Sequence, residues 1–535
     1  MKNNRRGVRP RRAVARAAHR PRSVAAGQRR SARDGAEQPS RLRLIGRVGG
    51  EAPEALQPPW HEWLSAEDRM FLRFERPDVQ MHVGATLVFA GGPLLNNSGG
   101  IDARRIRENI GAHLGAIPRY RQRLHRSPID GLPVWVDDAA FDLTAHVRHV
   151  RLERPGDERA LHRVASRILS QPLDRRRPLW EMWIVDGLAG RRFAIVSKTH
   201  HCMVDGVAGA DLVSLLLAPT PTSTIPRAAP WTPRAVPSAS ALLRDRVAWQ
   251  ADTLRRVARA LWQVARDPTT AAKWGRHASA FWQALGIGLR PAPDSPLNRR
   301  IGPRRRFAWL ALDLREVKEV KNRLGGTVND VVLATVAGAL RRFLHQRDPD
   351  GTSPDLRALV PVNTRTPAES GAMGNHVAAW LMPLPVGEPR PLDRLARIRT
   401  ITAALKGAND ALGAELVTAA GSAVLAYGVR LVERLRPFNL VVTNVPGPPL
   451  PLYLLGAPLQ HVYPLVPLFP NQGLGVAVFS YADTLCWGFN ADCHVVPDVQ
   501  ALADAVGTAF RELADAARTE SGAPGGPRRH LTAPA

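Results

Sequence analysis

Cysteine is almost missing: the chain of 535 residues holds three, Cys202, Cys486 and Cys493. So few, and an odd number, exclude a disulfide framework and point to a reducing cytoplasm. Lysine is scarce as well, 6 against 68 arginines, in a sequence rich in alanine, glycine and proline. That bias reads as codon composition rather than as a binding device. Long apolar runs are also lacking. The longest stretch without Asp, Glu, Lys or Arg runs from Pro437 to Ala482, but Pro446, Pro448, Pro449, Pro451, Pro458, Pro464, Pro467 and Pro470 interrupt it. No spanning helix tolerates proline at that density, so no transmembrane segment is expected. The basic N-terminus is not followed by an apolar h-region, so no signal peptide is expected either.

What is present suffices for a large folded body. Apolar residues make up 44% of the chain, and the length suits two domains with appendages. Of the net charge of +27, residues 1–50 carry +13, which leaves the other 485 residues only modestly basic. Composition therefore does not mark a nucleic-acid-binding protein, and no nucleic acid is expected as a partner. Residues 1–57 read as a disordered basic arm, suited to anionic lipid headgroups or simply an extension without a role.

Order is expected from Trp60. Ser65 and Asp68 form a capping-box start to a helix that leads into the apolar stretch Met81–Phe89. Helical and extended patterns alternate to Leu217, as in an α/β domain. Six prolines between Pro219 and Pro237 break the pattern, and a helical region with an apolar stripe at Leu243, Val247, Leu254, Val257, Leu261 and Val264 follows. Its arginines and Trp249, Trp262, Trp274 and Trp282 suit an interfacial membrane helix; a stripe packed on the protein itself is the alternative. From about 297 to 516 a second α/β region is predicted. Thr327 and Asp330 cap a helix to Leu344, Arg357–Val362 and Asn439–Val445 read as buried strands, and Gly475–Tyr481 pairs with Leu485–Asn490. A final helix covers Val499–Ala516 and the tail 521–535 frays.

The chemistry gathers in Phe193–Gly206. An apolar strand delivers His200 and His201, and a turn carrying Asp205-Gly206 leads into a helix. A neutral imidazole can take a proton from a hydroxyl or thiol near neutral pH. Adjacent residues on extended backbone point opposite ways, which argues against a shared metal ion and against a Cys202–His201 nucleophile pair, the two minor alternatives. His201 as general base is favoured over a purely structural histidine pair, with Asp205 bracing the loop and Gly206 allowing close backbone approach.

His200-His201-Cys202-Met203-Val204-Asp205-Gly206 resembles the HHxxxDG motif of the CoA-dependent acyltransferase superfamily. Leu64–Asp68, Met81–Gly84, Pro172–Arg175, Arg177–Glu181, Val185–Leu188, Thr327–Val331, Val360–Asn363, Gly374-Asn375 and Thr443–Pro448 resemble, in order, the bacterial wax ester synthase/diacylglycerol acyltransferase family. The likeness spans about 60–520. It implies an α/β fold of two chloramphenicol acetyltransferase-like domains, 58–218 and 296–520, joined by a linker at 219–295. Each would be a mixed sheet flanked by helices, with the active-site channel between them.

The resemblance further implies that His201 is the proton acceptor, that His200, Asp205 and Gly206 support it, and that Pro178, Leu179, Trp180, Asn329 and Asp330 shape the site. Acyl-CoA would be the donor, a co-substrate, with no metal and no redox cofactor. Diacylglycerol is the favoured acceptor; long-chain alcohols, other acceptors, a carrier-protein donor or a lipid-binding scaffold without turnover are the alternatives. Peripheral attachment to the inner face of the membrane or to a lipid droplet follows from such apolar substrates. Amides near Gly206, Asn329 or Ser480 are the candidates for oxyanion stabilisation. Two departures from the family pattern stand out: Cys202 where alanine is common, and Ser480–Asp483 in place of a glycine-bearing turn.

Overall fold

The computed structural model describes residues 61–97, 99–203, 215–266, 290–349, 354–363, 377–412 and 434–522. The N-terminal arm, Asp205, Gly206, Trp274, Trp282, Gly374, Asn375 and the tail beyond 522 lie outside the described residues.

The first half runs β1 (Glu62–Trp63), α1 (Ala66–Phe74), β2 (His82–Ala90), α2 (Ala103–His113), β3 (Gln122–Arg126), β4 (Pro133–Asp137), α3 (Leu143–His146), β5 (Val147–Arg151), α4 (Glu158–Leu169), β6 (Trp180–Leu188) and β7 (Arg192–His200). A long helix, α5 (Ala239–Arg266), leads to the second half: β8 (Arg305–Asp313), α6 (Leu314–Leu324), α7 (Val328–His345), β9 (Leu356–Asn363), β10 (Val377–Leu384), α8 (Pro391–Leu412), β11 (Leu440–Val445), β12 (Tyr453–Leu454), β13 (Ala457–Leu465), β14 (Leu474–Tyr481), β15 (Thr484–Asp492) and α9 (Val499–Gly522).

Local chemistry accounts for the elements. Ser65 caps α1 by accepting from the Asp68 amide, and Thr327 and Asp330 close a full capping box on α7. Helix α7 is apolar on nearly every side because α6, α8 and α9 all pack against it over the second sheet. β7 is buried along almost its whole length, with an apolar first half, Phe193–Val196, and a buried polar second half, Ser197–His200.

Two six-stranded mixed sheets carry the structure, with a small third sheet ordered β1-β4-β3. The second-half sheet has the order β10-β9-β11-β14-β15-β8, with β11 parallel to both neighbours. The other sheet has the order β12-β13-β2-β7-β6-β5. It is therefore not built from the first half alone: β13 crosses over and pairs antiparallel with β2. Because β12 covers only Tyr453 and Leu454, most of β13 is an edge strand, the position in which a sheet accepts Pro464. The uncharged stretch 437–482 is thus built into core strands of both sheets. The halves share a core where Trp309 of β8 stacks on Tyr463 of β13 at 5.0 Å and meets His162 of α4 at 3.6 Å.

Helix α5 does not pack the described residues of its stripe on the protein. Its first turns dock on the small sheet, through Leu242 buried beside Val134 and Val136, through Asp245 at 2.6 Å from His61 Nε2, and through Arg246 at 3.4 Å from Asp130. The docking residue is Leu242, one position off the stripe read from the sequence. Leu243, Val247 and Leu254 of that stripe face outward, Leu254 being 69% exposed, and so do Trp249 and Trp262. Among the described residues no helix is long and apolar enough to cross a membrane.

Candidate active site

Strand β7 lies between β2 and β6 and brings His200 opposite His82 of β2. Gly84 of β2 permits this pairing, since a Cβ there would overlap the Ser197 carbonyl oxygen. The Pro178-Leu179-Trp180 segment fixes the end of the strand. The His200 amide donates to the Leu179 carbonyl at 2.9 Å, the Trp180 indole donates to the Tyr120 carbonyl at 2.8 Å, and His146 Nδ1 donates to the Trp180 carbonyl at 2.7 Å. Those three residues hold the strand end in place through main-chain bonds and the Trp180 indole.

After His200 the chain leaves the sheet in a tight turn, His201–Met203. The His201 amide donates to the Met81 carbonyl at 2.8 Å, and its ring stacks on Phe71 of α1 with centroids 3.8 Å apart and planes 17° from parallel. Met70, Phe74, Val79 and Met81 of the first half, with Ile301 and Leu468 of the second, form the apolar bed around Phe71. Burial pushes the His201 pKa down to about 4; its own backbone carbonyl opposes that shift and the adjacent His200 adds to it. The ring is therefore neutral at physiological pH. Its Nδ1 is buried without a hydrogen-bond partner.

His200 turns the other way and is fully buried. Its Nδ1 accepts from the Cys202 amide at 3.1 Å and lies 3.0 Å from the Cys202 sulfur; its Nε2 faces Glu75 Oε1 at 3.4 Å. Burial and nearby carboxylates raise the Cys202 thiol well above its ordinary value, so it stays protonated. The departure at Cys202 thus places an inert thiol against His200, not a nucleophile against His201.

Glu75, the C-cap of α1, sits four residues after Phe71, so one helix end serves both histidines. Arg175 donates to Glu75 Oε2 from Nε at 2.7 Å and to the Leu72 carbonyl at 2.9 Å. Burial favours protonation of Glu75, but His200 and Arg175 outweigh it and hold the carboxyl at about 2. His82 donates from Nε2 to the Leu169 carbonyl at 2.9 Å, and burial, reinforced by Lys198, lowers its pKa to about 3. Lys198 itself is fully buried; its ammonium donates to the Gln171 carbonyl at 2.9 Å and lies 3.4 Å from Glu181. Phe71, Glu75, His82 and Arg175 were not singled out as site residues from sequence. All lie within or just beyond the quoted blocks, and the 71/75 spacing on a predicted helix was the available signal.

The second-half candidates have hydrogen-bond partners of their own in that half. Asp330 is committed to structure: Oδ2 accepts from the Thr327 amide (2.7 Å) and hydroxyl (2.8 Å), and Oδ1 from the Thr402 hydroxyl (2.8 Å). Asn329 Oδ1 accepts from Asn444 Nδ2 at 3.5 Å, and the Ser480 hydroxyl accepts from the Gly447 amide at 3.0 Å. Among the described residues neither is hydrogen-bonded to His201. A cleft lined by Pro291, Asp294, Asn298, Arg434 and Arg436 holds neither histidine. No group of three or more His, Cys, Asp or Glu side chains suited to a metal ion occurs among the described residues.

The family model for the wax ester synthase/diacylglycerol acyltransferase catalytic domain matches residues 64–332, and that for the WS/DGAT C-terminal domain matches 373–514. The chain belongs to this family. It is accordingly an acyltransferase, and its sheets have the architecture of that fold. A probable diacylglycerol O-acyltransferase of Mycobacterium tuberculosis is 34% identical over 461 residues, covering 84% of this chain and 95% of the relative. The solved wax ester synthase/diacylglycerol acyltransferase of Marinobacter aquaeolei VT8 superimposes with a TM-score of 0.65 at 26% identity, over 85% of this chain and all of that one. The first condensation domain of the calcium-dependent antibiotic synthetase, at 17% identity and a TM-score of 0.53 over 86% of this chain and 97% of that one, shares the fold.

Proposed function

We propose that this acyltransferase moves a long-chain acyl group from acyl-CoA to diacylglycerol, forming triacylglycerol in a ternary complex without a covalent enzyme intermediate. The observation that carries the proposal is His201: a neutral ring, stacked on Phe71 and clamped at its amide, at the end of the strand that ends in the histidine pair. Nδ1 is the ring nitrogen nearest its own main chain, which leaves Nε2 to take the acceptor hydroxyl proton. At a pKa of about 4 the imidazole is a weak base, so the proton moves only as the oxygen attacks the thioester carbonyl carbon. The tetrahedral intermediate then collapses: the C–S bond breaks and the imidazolium returns the proton to the CoA sulfur. Proton transfer of this kind supplies about 10²–10⁴-fold, and alignment of the substrates and oxyanion stabilisation supply the rest. Exchange of a thioester for an ester is redox-neutral and proton-neutral, so the proposed reaction calls on no metal or redox cofactor. Asp205 and Gly206 are assigned to bracing the loop after His201.

Long-chain alcohols would react by the same steps to give wax esters. Labelled palmitoyl-CoA offered with dioleoylglycerol or hexadecanol in parallel, with a His201→Ala control, tests both assignments. Triacylglycerol that disappears in the variant is the expected outcome. Wax ester alone would change the acceptor, and equal product from the variant would remove His201 as the base.

Attachment is assigned to α5, on the inner face of the membrane or at a lipid droplet. Its outward Leu254, Val247 and Trp262 lie among exposed arginines, a composition that suits an anionic lipid surface. Co-sedimentation with phosphatidylglycerol-containing liposomes should fall in a Trp249→Ala/Trp262→Ala variant, and unchanged binding would dismiss the helix.

A further inference from the structure

His201 is held at both of its peptide bonds. Its own amide donates to the Met81 carbonyl at 2.8 Å, and the next amide, that of Cys202, donates to His200 Nδ1 at 3.1 Å. A peptide unit is planar and trans, so the second bond also sets the direction of the His201 carbonyl, which lies opposite the Cys202 N–H. The main chain from which the His201 ring projects is thus held on both sides, and one of the two holds is His200.

For His200 Nδ1 to accept, it must carry the lone pair, which places the ring proton on Nε2. Nε2 faces Glu75 Oε1 at 3.4 Å, and neither atom has a hydrogen-bond partner elsewhere among the described residues. Glu75 is in turn fixed by Arg175, so its acceptor edge cannot swing away. We infer that Glu75 is a positioning residue for acyl transfer: it fixes the tautomer of His200, and through that tautomer the peptide that aims His201.

The inference rests on His201 as the base, and the experiment separates the two. Glu75→Gln keeps the size of the side chain. Its single oxygen is claimed by Arg175, so its NH2 faces His200 Nε2, which must then accept and carry its proton on Nδ1, against the Cys202 amide. Purified full-length protein should lose kcat by about tenfold or more, the range typical of partners behind a functional histidine. KM for palmitoyl-CoA and for the acceptor should stay within about twofold, and Tm within about 4 °C.

The decisive arm is His200→Asn. An asparagine oxygen accepts from the amide two residues on without help from Glu75. Whatever kcat His200→Asn sets, adding Glu75→Gln to it should change kcat no further. Wild-type kcat in Glu75→Gln, a loss confined to KM, or the same fold-loss in the His200→Asn background would each overturn the relay. His201→Ala, run alongside, reads the base assignment separately: an active His201→Ala protein defeats that assignment, whereas the coupling of Glu75 to His200 is read from the double variant.

Discussion

The turn after β7 and the start of α7 both come from conspicuous sequence blocks, yet they bury polar groups on opposite terms. At α7 both carboxylate oxygens of Asp330 are engaged, by Thr327 and Thr402, and the helix beyond is apolar core. Around the histidine pair, Glu75 Oε1 and His200 Nε2 have only one another, 3.4 Å apart, and His82 Nδ1 and His201 Nδ1 are buried without a hydrogen-bond partner. Each such atom costs roughly 1–3 kcal/mol. The capped motif spends its polar atoms on the scaffold, while the histidine pair keeps some of them unspent beside the proposed base.

The largest expected break in that contrast is His201→Ala. Turnover should fall by about 10²–10⁴-fold with the folded state intact, followed as labelled triacylglycerol from palmitoyl-CoA. The pH dependence follows from the same ring. His201 must be neutral to accept a proton, so kcat/KM should be flat above about pH 5 and lose about tenfold per unit below its pKa of about 4.

Stability should fall over a wider range. His82, His162 and His201 are held neutral in the fold, with values of about 3, 4 and 4, against about 6.5 in the unfolded chain. As pH drops below about 6.5, the unfolded chain takes up protons that the folded one refuses, and Tm should decline steadily towards pH 4. A Tm flat between pH 6.5 and 4 would mean that these rings are not buried as described.

Asp330→Ala should act in the opposite sense to His201→Ala. Losing the capping box and the Thr402 bond should cost about 1–3 kcal/mol in urea unfolding, with kcat per folded molecule unchanged. A collapse of kcat without loss of stability would move Asp330 from scaffold to site. The smallest effect belongs to the turn where the sequence departs from its family. Ala482 takes φ +48° as the first of two loop residues between β14 and β15, a position suited to glycine. Ala482→Gly should stabilise by up to about 1 kcal/mol, relief of the left-handed strain being partly offset by the entropy cost of glycine, without changing activity.

Much of the local structure was legible because its causes are local. The Ser65 cap, the Thr327/Asp330 capping box, the β14–β15 hairpin and the strand that ends in His200 each depend on residues only a few positions apart. The opposite orientation of His200 and His201 was expected from extended backbone, but it arises where the strand ends at His200 and a tight turn begins at His201. The helix at 239–266 was legible as a helix, but the residue on which it docks was not, because Leu242 meets Val134 and Val136 more than a hundred residues away.

By itself, then, the sequence determined the elements, the histidine motif and the family, all carried by short-range periodicity, caps and blocks of a few residues. Tertiary structure alone decided that β13 completes the first sheet, that Glu75 faces His200 Nε2, and that Asp330 serves a helix cap shared with α8. Those contacts join positions from about 70 to nearly 400 residues apart. Nothing in local propensity selects one distant partner over another; burial of the surrounding apolar surface does.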